Sequence, residues 1–240
     1  MNALDPGGSV GIRRISSRAA RYHEWGGCEG AFRMLLTFDS GPTMKLIAGR
    51  YGGHGLKTPS GHQTRPSTAR TREALFGLID ARIYIEGAEV LDLFAGTGAL
   101  GLEAISRGAD LVTFVEQKRE VLDYARENAE KLGVEDKCIF IQGDAVEYLR
   151  SYSGPKLDLI MADPPYKLEA MQEMPDLAIP HLDVDGVFTL EHSSHDWFDE
   201  HPHLMTSRSY GRTIVSLFRP PLPPEDEETE DDAVSTTEDA

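Results

Sequence analysis

Two rhythms of apolar and polar positions run through the middle of the chain. Residues 90–94, 111–116, 138–142, 157–162 and 187–191 are short apolar runs rich in Val, Ile, Leu and Phe, the pattern of strands buried in a sheet. Between the early runs, 98–107, 118–132 and 144–151 show helical spacing. Regular strand–helix alternation predicts an α/β fold, with mostly parallel strands and helices on both faces of the sheet. A last pair of runs, 205–209 and 212–218, is joined by Tyr210-Gly211 and predicts a terminal hairpin.

Upstream, 45–48 and 56–58 flank Gly49-Arg50-Tyr51-Gly52-Gly53-His54-Gly55 and predict a small hairpin. Ser67 or Thr68 caps a predicted helix running to about residue 82, with Arg72, Leu75, Phe76, Ile79 and Ile83 along one face. Residues 1–43 follow neither rhythm and are rich in Gly, Ser and Arg. They read as a disordered extension, or as a start placed upstream of the true one at Met44. Residues 220–240 open on a proline run and turn acidic, the pattern of a disordered tail. The expected organisation is therefore an N-terminal hairpin and helix over 44–85 and a main domain over 86–219.

Composition sharpens this picture in two places. The chain holds only Cys28 and Cys138, with no ligand-type Cys/His spacing, so a disulfide framework or structural zinc is not expected and an intracellular, cytoplasmic setting is. No apolar run reaches membrane-spanning length, so no membrane partner is expected. The net charge of −16 argues against nucleic acid until it is resolved along the chain. Nine acids and no base lie in the tail, whereas residues 44–72 carry Lys45, Arg50, Lys57, Arg65, Arg70 and Arg72 and no acid. A local basic segment of this kind attracts phosphates even on an acidic protein, and these six residues are the candidate RNA contacts.

The chemistry is concentrated at two strand ends. Asp92-Leu93-Phe94-Ala95-Gly96-Thr97-Gly98-Ala99-Leu100-Gly101 is a strand, a glycine-rich turn and a helix start, with Gly96, Gly98 and Gly101 in G-x-G-x-x-G spacing. Glu116 closes the next strand, where an acid accepts from both hydroxyls of a ribose. These features suit a nicotinamide dinucleotide and S-adenosylmethionine alike. Asp92, an acid inside the strand before the loop, and Asp144 with Ala145 after the third strand favour the methyl donor. Asp144 reads equally well as a helix N-cap.

The run 157–162 ends in Asp163-Pro164-Pro165-Tyr166. Successive prolines continue neither a ladder nor a helix, so they fix a rigid loop at the strand's carboxyl end, where open α/β sheets bind ligands. An exocyclic base amine is a weak nucleophile because its lone pair is delocalised into the ring. Asp163 and the Pro164 carbonyl can accept its two N–H bonds and aim the nitrogen, while Tyr166 stacks on the extruded base. No metal is required.

Thr64-Arg65-Pro66-Ser67-Thr68-Ala69-Arg70-Thr71-Arg72-Glu73-Ala74-Leu75-Phe76, the glycine loop and the Asp163–Tyr166 motif together resemble the bacterial 16S rRNA guanine-N2 methyltransferase family, from about Met44 to Arg219. The resemblance implies a Rossmann-like, seven-stranded fold, S-adenosyl-L-methionine as cofactor and a guanine of small-subunit ribosomal RNA as target, with the enzyme working as a monomer. It further implies that Arg65, Pro66, Thr68 and Arg72 lie near the cofactor or the target. Ala69 stands where the family usually has Asp, and Gly77 where it has Asn. Two other functions remain compatible with the residues: adenine-N6 methylation of DNA or RNA, and a noncatalytic RNA-binding or ribosome-assembly protein on the same fold.

Overall fold

The computed structural model describes residues 44–59 and 67–221, with the backbone alone for Ser67 and Thr68. The expectations for residues 1–43, for Arg65 and Pro66 and for the tail beyond residue 221 lie outside the described residues. A two-stranded hairpin, β1 (Met44–Lys45) and β2 (Gly55–Leu56), is followed by helix α1 (Ser67–Asp80). Then come β3 (Glu89–Leu93), α2 (Ala99–Ser106), β4 (Leu111–Glu116), α3 (Arg119–Leu132), β5 (Cys138–Gln142), α4 (Ala145–Ser151) and β6 (Leu157–Ala162). The short helix α5 (Met174–Ala178), β7 (Leu182–Ser193), β8 (Leu204–Tyr210) and β9 (Thr213–Phe218) complete the order.

The main sheet has seven strands in the order β5-β4-β3-β6-β7-β9-β8. From β5 to β7 the pairings are parallel; β9 runs antiparallel to both β7 and β8. Alternate strand residues enter opposite faces. Val90, Val112, Phe114 and Met161 pack with Leu75, Phe76, Ile79, Leu102 and Leu122 on one side. Leu91, Leu93, Ile160 and Leu190 pack with Val146, Leu149 and Met174 on the other. The chain fills one side of β3 with β4 and β5, then crosses to begin the other side at β6. The crevice above β3 and β6 is the topological switch point, the place where such sheets bind ligands.

The sequence reading and the structure differ in extent more than in kind. The hairpin strands are two residues each, because Gly49 to His54 form successive tight turns instead of ladder. Strand β7 is twelve residues long, starting well before the apolar run at 187, because Asp183, Val184 and Asp185 lie exposed and carry no buried signal. The turns and short helices between residues 168 and 181 were not anticipated; their lengths are below what periodicity can register.

The N-terminal hairpin is fastened to the sheet domain by buried polar groups. Glu103 of α2 is fully buried and accepts from Ile47 N–H at 2.7 Å, Ala48 N–H at 3.0 Å and Arg107 Nε at 3.0 Å. The buried Asn128 of α3 accepts from Lys57 N–H at 2.7 Å and donates to the Lys57 and Thr97 carbonyls, tying β2 to the glycine loop.

Candidate active site

The glycine loop is shaped by close contacts on one side and hydrogen bonds on the other. Gly98 has φ +80°, and a β-carbon on Gly101 would stand 2.3 Å from the Phe114 ring on β4. Gly101 thus lets α2 lie against the sheet, and Gly98 turns the chain into it. Phe94, the first residue past β3, holds φ +56°, a left-handed conformation uncommon for a non-glycine residue and found at sites the surrounding structure constrains.

Three acids surround the loop. The Glu116 carboxylate accepts from Gly96 N–H at 3.1 Å and Lys118 N–H at 2.9 Å, so it braces the loop from the end of β4. Asp92 Oδ2 accepts from Gly101 N–H at 2.8 Å and thereby satisfies one of the donors at the start of α2. Asp92 Oδ1 is buried with no hydrogen-bond partner among the described residues. Burial pushes the Asp92 carboxyl up to about 7, with the Gly101 N–H opposing and Asp163 and Glu116 adding to the rise. A buried acceptor left unpaired is costly unless a ligand supplies a donor. Asp144 caps α4, its Oδ1 accepting from Val146 N–H at 2.9 Å and Glu147 N–H at 3.0 Å. That is the cap its sequence position allowed, and it leaves Oδ2 for another donor.

The second half of the site begins one residue past the ladder. Leu93 and Leu190 both register with Ala162, so the glycine loop and the Asp163 loop leave neighbouring strand ends, with Glu191 the next residue along β7. Asp163 and Tyr166 are exposed and Pro164 is buried. The Pro165 carbonyl is committed to Leu168 N–H at 2.9 Å, closing the turn, and Tyr166 Oη is 3.0 Å from Thr213 Oγ1 on β9. Asp163, Pro164, Pro165, Tyr166, Arg72, Glu191 and Thr213 line one cavity of about 330 Å³, whose wall includes Met44, Ala99 and Leu100.

Of the six candidate RNA contacts, Lys45 and Arg70 are exposed, Arg50 stands over the Tyr51 ring at 5.6 Å, and Lys57 pairs with Glu127 at 2.9 Å on the surface. Arg72 departs from the expectation. It is buried beside the cavity, donates to the Lys45 carbonyl, and keeps a buried Nε with no partner among the described residues. The helical face that buries Leu75 and Phe76 carries Arg72 inward with them, so it lines the cavity instead of standing on a phosphate-facing surface.

The sequence reading missed Glu191 and Thr213. Glu191 sits in the cavity with its carboxyl raised above the ordinary range by burial first and then by Asp163, against the pull of Arg72. Its signal was present: an acid closing a buried strand at the ligand-binding end of the sheet, the same argument that singled out Glu116. Thr213 carried no signal of its own, because only the antiparallel return of β9 brings it to Tyr166.

Residues 44–219 match the family described as "Conserved hypothetical protein 95". The Bacillus subtilis (strain 168) protein YlbH, provisionally named an rRNA methyltransferase, is 31% identical over 183 residues, 73% of this chain and 98% of that protein. Ribosomal RNA small subunit methyltransferase D of Escherichia coli (strain K12) is 33% identical over 130 residues, 54% of this chain and 64% of its own length. Among solved structures, yhhF from Escherichia coli, provisionally named a methyltransferase, superimposes with a TM-score of 0.66 at 27% identity, covering 75% of this chain and 99% of that one.

Proposed function

Because this chain belongs to the conserved hypothetical protein 95 family, alongside ribosomal RNA methyltransferases, we propose that it methylates the exocyclic N2 amine of a guanine in small-subunit ribosomal RNA with S-adenosyl-L-methionine. The observation that carries the reading is the register of Leu93, Ala162 and Leu190, from which the glycine loop and the Asp163-Pro164-Pro165-Tyr166 loop leave adjacent strand ends.

The residues present fit the methyl donor. Asp92 Oδ1 is the unpaired buried acceptor at the methionine end, Glu116 stands at the ribose position, and Asp144 Oδ2 is open to an adenine amino group. Bound there, the donor supplies an electrophilic methyl group on a sulfonium. Asp163 and the Pro164 carbonyl accept the two N–H bonds of the target amine and turn its lone pair towards that methyl. Tyr166, steadied by Thr213, stacks on the base. Positioning and electrostatics supply the acceleration; the Asp163 carboxylate stabilises the positive charge that develops on the alkylated amine and accepts the proton it loses. Lys45, Arg50 and Arg70 engage RNA phosphates from the 44–85 segment, and the enzyme works as a cytoplasmic monomer.

The test is incubation of the full chain with isotopically labelled S-adenosylmethionine and small ribosomal subunits from cells lacking its gene, followed by nucleoside mass spectrometry. Labelled N2-methylguanosine is expected, and Asp163→Ala is expected to abolish it while cofactor binding persists. Label found only in N6-methyladenosine, or only in DNA supplied in a parallel reaction, would overturn the reading.

A further inference from the structure

The Asp163-Pro164-Pro165-Tyr166 loop handles an exocyclic amine on any base, so the choice of base must come from other groups in the cavity. Glu191 and Arg72 are the two charged groups there that the amine chemistry does not use. Glu191 stands one step along β7 from the ladder partner of Ala162, immediately beside Asp163, and interacts electrostatically with both Asp163 and Arg72. Arg72 is 3% exposed and keeps its Nε without a partner among the described residues. A guanidinium N–H buried against a cavity wall without an acceptor is a donor awaiting one from a ligand.

We propose that Glu191 and Arg72 read the Watson–Crick edge of guanine: Glu191 accepts from N1–H and the Arg72 guanidinium donates to O6, while Asp163 holds N2. Guanine presents acceptor, donor, donor along O6, N1 and N2, and the cavity offers donor, acceptor, acceptor in return. With the raised Glu191 carboxyl ionised, as at pH 8.5, adenine with N6 at Asp163 would set its N1 lone pair against the carboxylate, so the two acceptors would face each other with no proton between them. A site built to satisfy a hydrogen-bonding group rejects an analogue lacking it, because its own buried group is then left unpaired. Glu191 is thus the base-selecting residue. This inference rests on the methyl-transfer reading above and adds the choice of base to it.

The test replaces the guanosine that mass spectrometry shows to be methylated with 2-aminopurine, in small-subunit RNA assembled by ligation, and compares kcat/KM at pH 8.5. 2-Aminopurine keeps the N2 amine and removes both the N1 proton and O6, the partners assigned to Glu191 and Arg72, so the wild-type comparison reads the two together and Glu191→Gln separates the N1 contact. The wild type is expected to prefer guanine by about 100-fold or more, and Glu191→Gln, whose amide can donate to a bare N1, to narrow the preference to within about 10-fold with cofactor affinity unchanged. Equal use of both bases by the wild type, or a preference that Glu191→Gln leaves intact, overturns the proposal and leaves the methyltransferase reading standing. Failure of the wild type to form any N2-methylguanosine removes that reading and the proposal with it. Should Glu191→Gln not fold by circular dichroism, the wild type is compared on guanine and O6-methylguanine, which keeps the N2 amine and the O6 atom and loses the N1 proton; equal use of the two overturns the proposal.

Discussion

Asp92 and Gly101 are joined across the glycine loop by a 2.8 Å hydrogen bond from the Gly101 N–H to Asp92 Oδ2, while Asp92 Oδ1 is buried and unpaired among the described residues. One carboxylate therefore fixes the start of α2 and leaves an acceptor for a ligand. Its position costs stability in the ligand-free protein. Burial raises the carboxyl from 3.8 to about 7, so between those values the folded state holds a proton that the unfolded state has released. Stability must then fall as pH rises through that window and level off above it. Asp92→Asn removes the penalty and keeps an acceptor for Gly101. The variant is expected to melt about 3–8 °C above wild type at pH 8, where the penalty exceeds roughly 2 kcal/mol, with the gap closing towards pH 4. Its affinity for S-adenosylmethionine should fall. Calorimetric melting at both pH values checks the sign, and a gap that does not shrink on acidification contradicts it.

Gly101 and Gly96 serve the same motif for different reasons, and alanine separates them. At Gly101 the new methyl would lie 2.3 Å from Phe114 Cε1 and 2.8 Å from Val112 Cγ1, and the Phe114 ring is stacked on Phe140 at 5.0 Å and has little room to swing away. Overpacking of this kind costs about 1–3 kcal/mol. At Gly96 the methyl meets only the Phe94 carbonyl at 3.9 Å, and the cost is that of φ +58°, roughly 1–2 kcal/mol. Gly101→Ala is expected to lower Tm more than Gly96→Ala, and Gly96→Ala to weaken cofactor binding more than its Tm change accounts for. Paired melting and titration calorimetry decide it; the reverse order of Tm loss would count against this division of labour.

The strands and helices were legible because each buried run or amphipathic stretch is long enough to carry its own period. The glycine loop and the Asp163–Tyr166 motif were legible because backbone chemistry restricts which residues those turns accept. What escaped was set by pairing between distant segments. Glu191 and Thr213 reach the cavity only through the register of β7 with β6 and β9. Arg72 reads from the sequence both as one more base in a basic segment and as a member of the apolar face of α1, and burial of that face decides its place. Asp144 showed the opposite limit: both of its readings fit the residue, and the structure supplies the cap while leaving the second oxygen open.

Glu103 carries the attachment of the N-terminal hairpin. Its buried carboxylate accepts from Ile47 and Ala48 and pairs with Arg107, so Glu103→Ala strands two backbone donors and leaves a guanidinium without this partner. Breaking a buried pair from one side typically costs about 3–5 kcal/mol. The amides of Ile47 and Ala48 are expected to exchange at least tenfold faster in Glu103→Ala, a modest share of that cost, while those of Val112 and Phe114 in the sheet retain the higher protection of the two groups. Hydrogen exchange read by mass spectrometry tests this, and equal acceleration in both places would show that the hairpin is not a separately fastened unit.

Asp144 can be divided experimentally into its two roles. A serine side chain caps a helix nearly as well as aspartate, whereas it is too short to cap α4 and reach a cofactor's adenine amino group together. Asp144→Ser should therefore keep stability within about 0.5 kcal/mol of wild type, whereas Asp144→Ala should lose about 1 kcal/mol with the cap. If Oδ2 accepts from the adenine, both variants bind S-adenosylmethionine about tenfold more weakly, the loss of one hydrogen bond to a charged acceptor. Chemical denaturation and calorimetric titration separate the roles cleanly. Unchanged affinity in Asp144→Ser would reduce the residue to a cap and leave the adenine to other groups around the glycine loop.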